Sequence, residues 1–360
     1  MNPTPPPRAY AALALATILS LVAAACGSEN PDVLAAVKEK SASVTSEQAD
    51  DTTTTIPVDD PRAPLTGLPI DEARKIYYLR PALAVKIDNA PGAMPHEGLN
   101  QADMVIEVLV EGISRLIAVY HSQEADSIGP TRSARHSDPD LLALFGKPLF
   151  GWSGANESVQ SGVYKTPWIV NANWDRAERA YERRRDRSAP HNLFTSSEGL
   201  YDFAESDQPP APPVFPYLDD GAQNAGTFPV AGASAQIGDT SSQWVWVAEL
   251  NQFVRWQYGT AHRTDGDDLV AASNVVILRT EYGRGPVARS VGEGDAWILT
   301  AGSVVEGRWI RPKRTAPFQL VHADGTPILL NPGRTWMQLP QSEPELLTPE
   351  TASDLLESAR

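Results

Sequence analysis

The sequence predicts an α+β protein: an N-terminal α+β domain with a mixed or antiparallel sheet, followed by a smaller, mainly-β domain of sandwich or barrel type. Three observations carry that expectation. A chain of 360 residues, 42% hydrophobic and 21% charged, suits two domains plus tails and can bury a sizeable core. Up to about residue 208, alternating apolar segments are mixed with capped helical stretches. Beyond the stiff Pro209-Pro210-Ala211-Pro212-Pro213 run, the pattern becomes short strands at regular spacing with glycine-bearing turns.

The chain opens with one charge, Arg8, ahead of an apolar run from Ala11 to Ala25 that is too short to span a membrane comfortably. It closes as Ala23-Ala24-Ala25-Cys26-Gly27, which resembles a lipobox although leucine is usual where Ala23 stands. Residues 1–25 are therefore expected to be a lipoprotein signal peptide, with lipid attached at Cys26 and the chain held on the outer face of the cell membrane. Cys26 is the only cysteine, which excludes an intrachain disulfide, a cysteine metal cluster and a CxxC redox pair. Residues 26–62 read as a disordered acidic tether: Gly27–Arg62 holds eight acidic and three basic residues and little to bury. Much of the formal net charge of -15 lies there and in 341–360, read as an acidic tail. A folded part that is only mildly acidic excludes bulk nucleic-acid binding, which requires a basic face.

The N-terminal α+β domain is placed at 63–208. Ala82–Asp88 and Asp103–Glu111 alternate as strands, and a tight turn at Gly112 leads into an antiparallel partner, Arg115–His121. Ser137-Asp138-Pro139 has the form of a helix start, with Gly146 as its stop. Asn173–Asp186, dense in charge, is expected to be a solvated helix. A Pro/Gly-rich linker covers 209–240. The β-rich domain covers 241–340, with strands at Gln243–Leu250, Phe253–Gln257, Asn274–Arg279, Asp295–Thr300, Val304–Ile310 and Pro327–Leu330. Its tryptophans fall mostly in these strands and read as core and sheet-face packing.

Several segments together resemble the YerB-like lipoproteins, the two-domain family of unknown function 3048. These are Pro64-Leu-Thr-Gly-Leu-Pro69, Arg80-Pro-Ala-Leu-Ala-Val-Lys-Ile-Asp-Asn-Ala-Pro91 and Gly98-Leu-Asn-Gln-Ala-Asp-Met-Val-Ile-Glu-Val-Leu-Val-Glu-Gly112. Ile128-Gly-Pro-Thr-Arg-Ser-Ala-Arg135, Ala189-Pro-His-Asn-Leu193, Gly307-Arg-Trp309 and Asn331-Pro-Gly-Arg-Thr-Trp336 continue the match to about Leu339. Thr131 departs from the pattern, in which valine is common. The resemblance implies two domains anchored outside the cell and implies no chemistry.

No catalytic motif names a reaction. Gly151-Trp-Ser-Gly-Ala155 lacks the last glycine of a nucleophile elbow, and SxxK, HExxH and the phosphate-binding GxxxxGK[ST] are absent. Thr264-Asp-Gly-Asp-Asp268 lacks the spacing and closing glutamate of a calcium loop, so a turn is expected, with no metal and no cofactor. What remains is polar. Arg132 and Arg135 flank Ser133 on one loop, and His191-Asn192 follow a proline; these are the candidate ligand-binding residues, since paired guanidiniums suit a carboxylate or phosphate. Asp88, Glu107, Glu111 and Arg115 are the candidate orienting or acid–base groups. Bland readings stand beside these: Glu111 and Arg115 as a cross-strand ion pair, Asp88 as a turn cap, and His191 as a structural hydrogen-bonding histidine.

Binding of an anionic envelope component or a cell-wall synthesis partner is the leading expectation, ahead of catalysis. A hydrolase of cell-wall glycan or phosphodiester, using a carboxylate with His191, is the first alternative. A β domain that docks another envelope protein is the second. The expected partners are thus the membrane, through the lipid anchor, and an anionic envelope polymer or envelope protein.

Overall fold

A computed structural model describes residues 62–70, 72–219 and 221–359. The signal peptide, Cys26 and the tether read from the sequence lie outside the described residues.

The fold is α+β and is organised around one large mixed sheet. In the first half the strands are β1 (Leu83–Ile87), β2 (Met104–Val110), β3 (Ile113–Tyr120), β4 (Leu149–Gly151) and β5 (Val170–Asn171). β2 and β3 form the expected hairpin, with Val110 opposite Ile113. Its turn places Glu111 at φ 50° and Gly112 at φ 96°. β1 pairs antiparallel with β3 and parallel with β4, which continues in parallel to β5.

On the other edge of β2 the chain does something its linear order conceals. The short strand Thr335–Gln338, from the far end of the second half, pairs parallel with β2 and with Asn274–Leu278. Gly292–Thr300, Ser303–Arg311 and Gln319–Val321 then extend the same sheet. The second half is β-rich, as expected, but six of its strands, including the short Phe228–Pro229 that pairs with Ser303–Arg311, lie in the sheet that the first half begins.

Both faces of this sheet are covered, as its parallel pairs require. One face gathers Ala84, Met104, Ile106, Val108, Ile117 and Val119 with Leu141, Leu142, Phe145, Phe150 and Trp152. The other face carries Leu83, Val85, Val105, Leu116, Ala118 and Trp336. It meets Ala233, Ala235, Trp244 and Phe253 of a second sheet, built on Gly232–Ile237, Thr240–Val247 and Gln252–Gln257. The sandwich therefore forms between the two sheets, with strands of both halves on one side. Trp244, Trp256 and Trp336 are fully buried, in keeping with the packing reading.

Three expectations are corrected. The segment read as an acidic tail, 341–360, is a folded element over its described residues, 341–359: Glu345–Leu346 pairs with Gly232–Ile237, and Pro349–Ser358 is a helix whose cap, Thr348, accepts from the Thr351 amide. Ala352, Leu355, Leu356 and Ala359 pack on Val245, Val247, Val254 and Trp256, an apolar stripe masked by the segment's acidic composition. The end of the 209–240 linker is likewise the strand Gly232–Ile237. Asn173–Asp186 is not a helix. It passes through a short 3-10 turn, Glu178–Ala180, into β6 (Tyr181–Arg183), which pairs with β7 (Leu193–Thr195). Tyr181 is buried and donates to Ala172 O (2.6 Å), while Arg183 and Arg184 lie over the Trp174 and Phe194 rings. Ring stacking and strand pairing outweigh the i,i+4 charge spacing there.

The halves are joined by a buried ion pair. Glu107 of β2 faces the second sheet, where Arg255 Nη2 donates to both of its carboxylate oxygens at 2.9 and 3.0 Å, and both side chains are essentially unexposed. Ser114 Oγ (2.7 Å), Trp336 Nε1 (2.9 Å) and Gln338 Nε2 (2.9 Å) also donate to Glu107. Burial pulls the Arg255 guanidinium below its ordinary range, and Glu107 opposes that shift. Replacing Glu107 with Gln leaves a buried guanidinium without its counter-charge. By denaturant unfolding it is expected to cost about 3–5 kcal/mol. A loss below about 1 kcal/mol would show that the pair does not hold the sheets together.

Candidate functional site

The site forms where β1 and β4 end. Asp88 follows the last residue of β1, and its amide donates to Pro130 O (2.9 Å). The adjoining loop is tied to β1 by Arg132 N to Lys86 O (2.7 Å), to the segment after β4 by Ser153 N to Arg132 O (3.0 Å), and to β7 by Thr131 N to Leu193 O (2.7 Å). Three loops thus converge at the carboxyl ends of parallel strands, a place where open α/β sheets present ligand sites. Between them lies a cleft of about 350 Å³ lined by Thr131, Arg132, Ser153, Arg183, Ala189, Pro190, Asn192 and Leu193.

Beside the cleft, Asp88 is buried and takes His191 Nδ1–H on Oδ2 at 2.7 Å. That bond selects the tautomer of a neutral His191 and leaves Nε2 as its acceptor; the ring is 23% exposed. Asp88 Oδ2 also lies 3.0 Å from Arg132 Nε, although that N–H is not aligned on the carboxylate. The two terminal nitrogens of Arg132 make no hydrogen bond among the described residues. Arg183 donates to Asn192 Oδ1 (3.0 Å) and stacks at 5.2 Å on Trp174.

The Arg132 loop is electropositive. Arg115 is almost fully buried and donates to Ser133 O (3.1 Å). Its burial, then repulsion from Arg135, and further from Arg132, draws it down to about 10, against the pull of Asp88. Arg135 reaches Glu111 Oε2 (2.9 Å), and this bond holds the Glu111 carboxyl below its usual range. Underneath, Lys86 and Asp138 form a sealed pair at 2.6 Å, and burial lowers Lys86 to about 8. Asp138 also accepts the Arg135 amide (2.7 Å), so this pair anchors the loop.

The structure therefore brings together Asp88, Arg132, His191 and Asn192, with Ser133 contributing its carbonyl to Arg115. Two sequence expectations are corrected. Glu107 does not orient the arginines; it points to the opposite face of the sheet and is consumed by Arg255. Glu111 does not pair with Arg115, because Arg115 lies opposite Val108 and the left-handed turn directs Glu111 toward Arg135. Thr131, Ser153 and Arg183 join the site in the structure with no motif in the sequence to mark them. Ser153 sits inside the near-miss elbow, and Arg183 was hidden by the helical reading of its segment.

Behind Asp88 runs a directed hydrogen-bond chain. Arg255 Nη1 can only donate, so His262 Nδ1 accepts (2.7 Å). His262 Nε2–H then donates to His96 Nδ1 (2.8 Å), and His96 Nε2–H donates to Asp88 O (2.6 Å). Both rings must be neutral for this order to hold. Burial, reinforced by Arg255 and in the case of His96 by Arg187, lowers His96 to about 4 and His262 well below its ordinary value.

The unfolded chain takes up protons on these histidines near pH 6.5, while the folded chain resists until about pH 4 at His96. Stability is therefore full above about pH 6.5 and lost as pH falls toward 4, by roughly 3 kcal/mol from His96 alone. Denaturant titrations at pH 7 and pH 5 check this, with a shallower slope expected for His96→Gln.

An N-terminal α+β part and a β-rich part that share one sheet define a two-domain family. The chain belongs to it: residues 65–209 match the N-terminal domain, and 233–337 the C-terminal domain, of the protein of unknown function DUF3048. It is 28% identical over 296 residues to the Bacillus subtilis (strain 168) protein described as "Putative lipoprotein YerB", covering 77% of this chain and 86% of that one. The crystal structure of YerB protein from Bacillus subtilis matches the fold with a TM-score of 0.68 at 22% identity, covering 80% of this chain and all of that one.

Proposed function

We propose that this chain is an extracytoplasmic lipoprotein, anchored through Cys26, whose cleft binds an anionic group of a cell-envelope component or of a cell-wall synthesis partner. The Arg132 guanidinium carries the reading: in a chain of net charge -15, Arg132 lines the cleft and its terminal nitrogens make no hydrogen bond among the described residues. A charge-assisted bond to such a group is worth about 1.5–3 kcal/mol. The lipobox-like Cys26 and the described relative support the anchor. No helix among the described residues is long and apolar enough to cross a membrane.

The 2.7 Å Asp88–His191 pair favours a second reading, acid–base hydrolysis of an envelope polymer, since a buried carboxylate orienting a partly exposed imidazole is a general-base arrangement. A docking role for the β half has less support. Its exposed large apolar side chains among the described residues are Phe228, Val291 and Leu346.

Binding is tested by cosedimentation with cell-wall fragments, before and after removal of their anionic polymers. Arg132→Ala should weaken binding roughly tenfold, and unchanged binding would sink the reading. Hydrolysis predicts soluble product from the same fragments, abolished in His191→Ala. Anchoring predicts that palmitate label enters the wild type and not Cys26→Ser, which should leave the membrane fraction.

A further inference from the structure

We infer that the group held in the cleft is a phosphate, free or as an ester, with Thr131, Ser153 and Arg183 completing a site that Arg132 begins. This deepens the binding reading above and rests on it.

The donor set comes from three separate segments. Thr131 and Arg132 approach from the loop after Pro130, Ser153 from the segment after β4, and Arg183 from β6, and all of them line the same cleft. A planar carboxylate is satisfied by one guanidinium fork. Donors converging from separate loops suit an anion with oxygens in several directions, which a tetrahedral phosphate has.

Thr131 supplies an independent observation. It is 1% exposed and lines the cleft, yet its Oγ1 has no hydrogen-bond partner among the described residues. A buried hydroxyl left unsatisfied costs about as much as a lost hydrogen bond, so a ligand oxygen that accepts from it removes a standing penalty.

Charge points the same way. With the Lys86–Asp138 pair neutralising itself, Arg115, Arg132, Arg135 and Arg183 stand against Asp88 and Glu111, and neither Arg115 nor Arg183 has an ion-pair partner among the described residues. The surplus suits an anion of more than one charge. At about 350 Å³ the cleft is at the small end of ligand pockets, enough for a phosphate with a short organic group.

The test uses the whole chain without its signal peptide and lipid, titrated at constant ionic strength. The probes are inorganic phosphate, glycerol 3-phosphate, a glycerol phosphodiester oligomer, and acetate and glycerate as carboxylate controls. Binding is read by calorimetry and by the His191 ring NMR signals. The expected result is that at least one phosphate probe binds ten-fold or more tightly than either carboxylate. Free phosphate, monoester and diester arms separate the sources of the group. Thr131→Val, which keeps the shape and removes the hydroxyl, should weaken that probe several-fold, and Arg183→Gln roughly tenfold. Thermal melts confirm that both variants fold.

If carboxylates bind as well as phosphates, or Thr131→Val leaves phosphate affinity unchanged, the phosphate assignment is overturned while anion binding stands. If no anion shifts His191 and none gives heat, both readings fall.

Discussion

The Glu107–Arg255 pair is the constraint on which the rest of the structure depends. A glutamate in the middle of a strand buried on both faces is tolerable only if its charge is met, and the partner comes from the other sheet, 148 positions away in sequence. Trp336 and Gln338, which donate to the same carboxylate, lie on the strand that stitches the two halves into one sheet. One buried carboxylate therefore fixes the register of β2 against Thr335–Gln338 and the seating of the second sheet. An apolar pair could match its stability but would not select one arrangement in this way.

From that pair the consequences run outward. Arg255 orders His262, His262 orders His96, and His96 holds the backbone carbonyl of Asp88, whose side chain sets the His191 tautomer. The cleft belongs to the first half, but the residue that fixes its acidic group is seated from the second. The two family domains are thus units of sequence more than of mechanics.

The candidate site follows a different logic from the interior. Inside, Arg255, Ser114, Trp336 and Gln338 all donate to the Glu107 carboxylate. At the cleft, the Arg132 fork, the Thr131 hydroxyl and the Arg183 charge are left incompletely matched, while a sealed Lys86–Asp138 pair and the Arg115–Ser133 bond keep the loop rigid beneath them. Unspent polar capacity on a rigid loop is what recognition of an anion requires.

Sequence alone determined the class of fold, the β2–β3 hairpin and the association of Arg132, His191 and Asp88 as a polar set. Local periodicity, turn residues and residue chemistry carry that information directly. It could not assign Glu107, because alternation shows which face a side chain takes and not what covers that face. The strand Thr335–Gln338 was unreadable, since four residues buried on both faces show no alternation, and its pairing depends on segments far away in the chain. The tail helix and the Arg183 strand are invisible in the sequence for a related reason: composition and charge spacing are local signals, and packing against Trp256, Trp174 and Phe194 overrides them. Only the tertiary structure decided which charges are spent in the interior and which remain available at the surface.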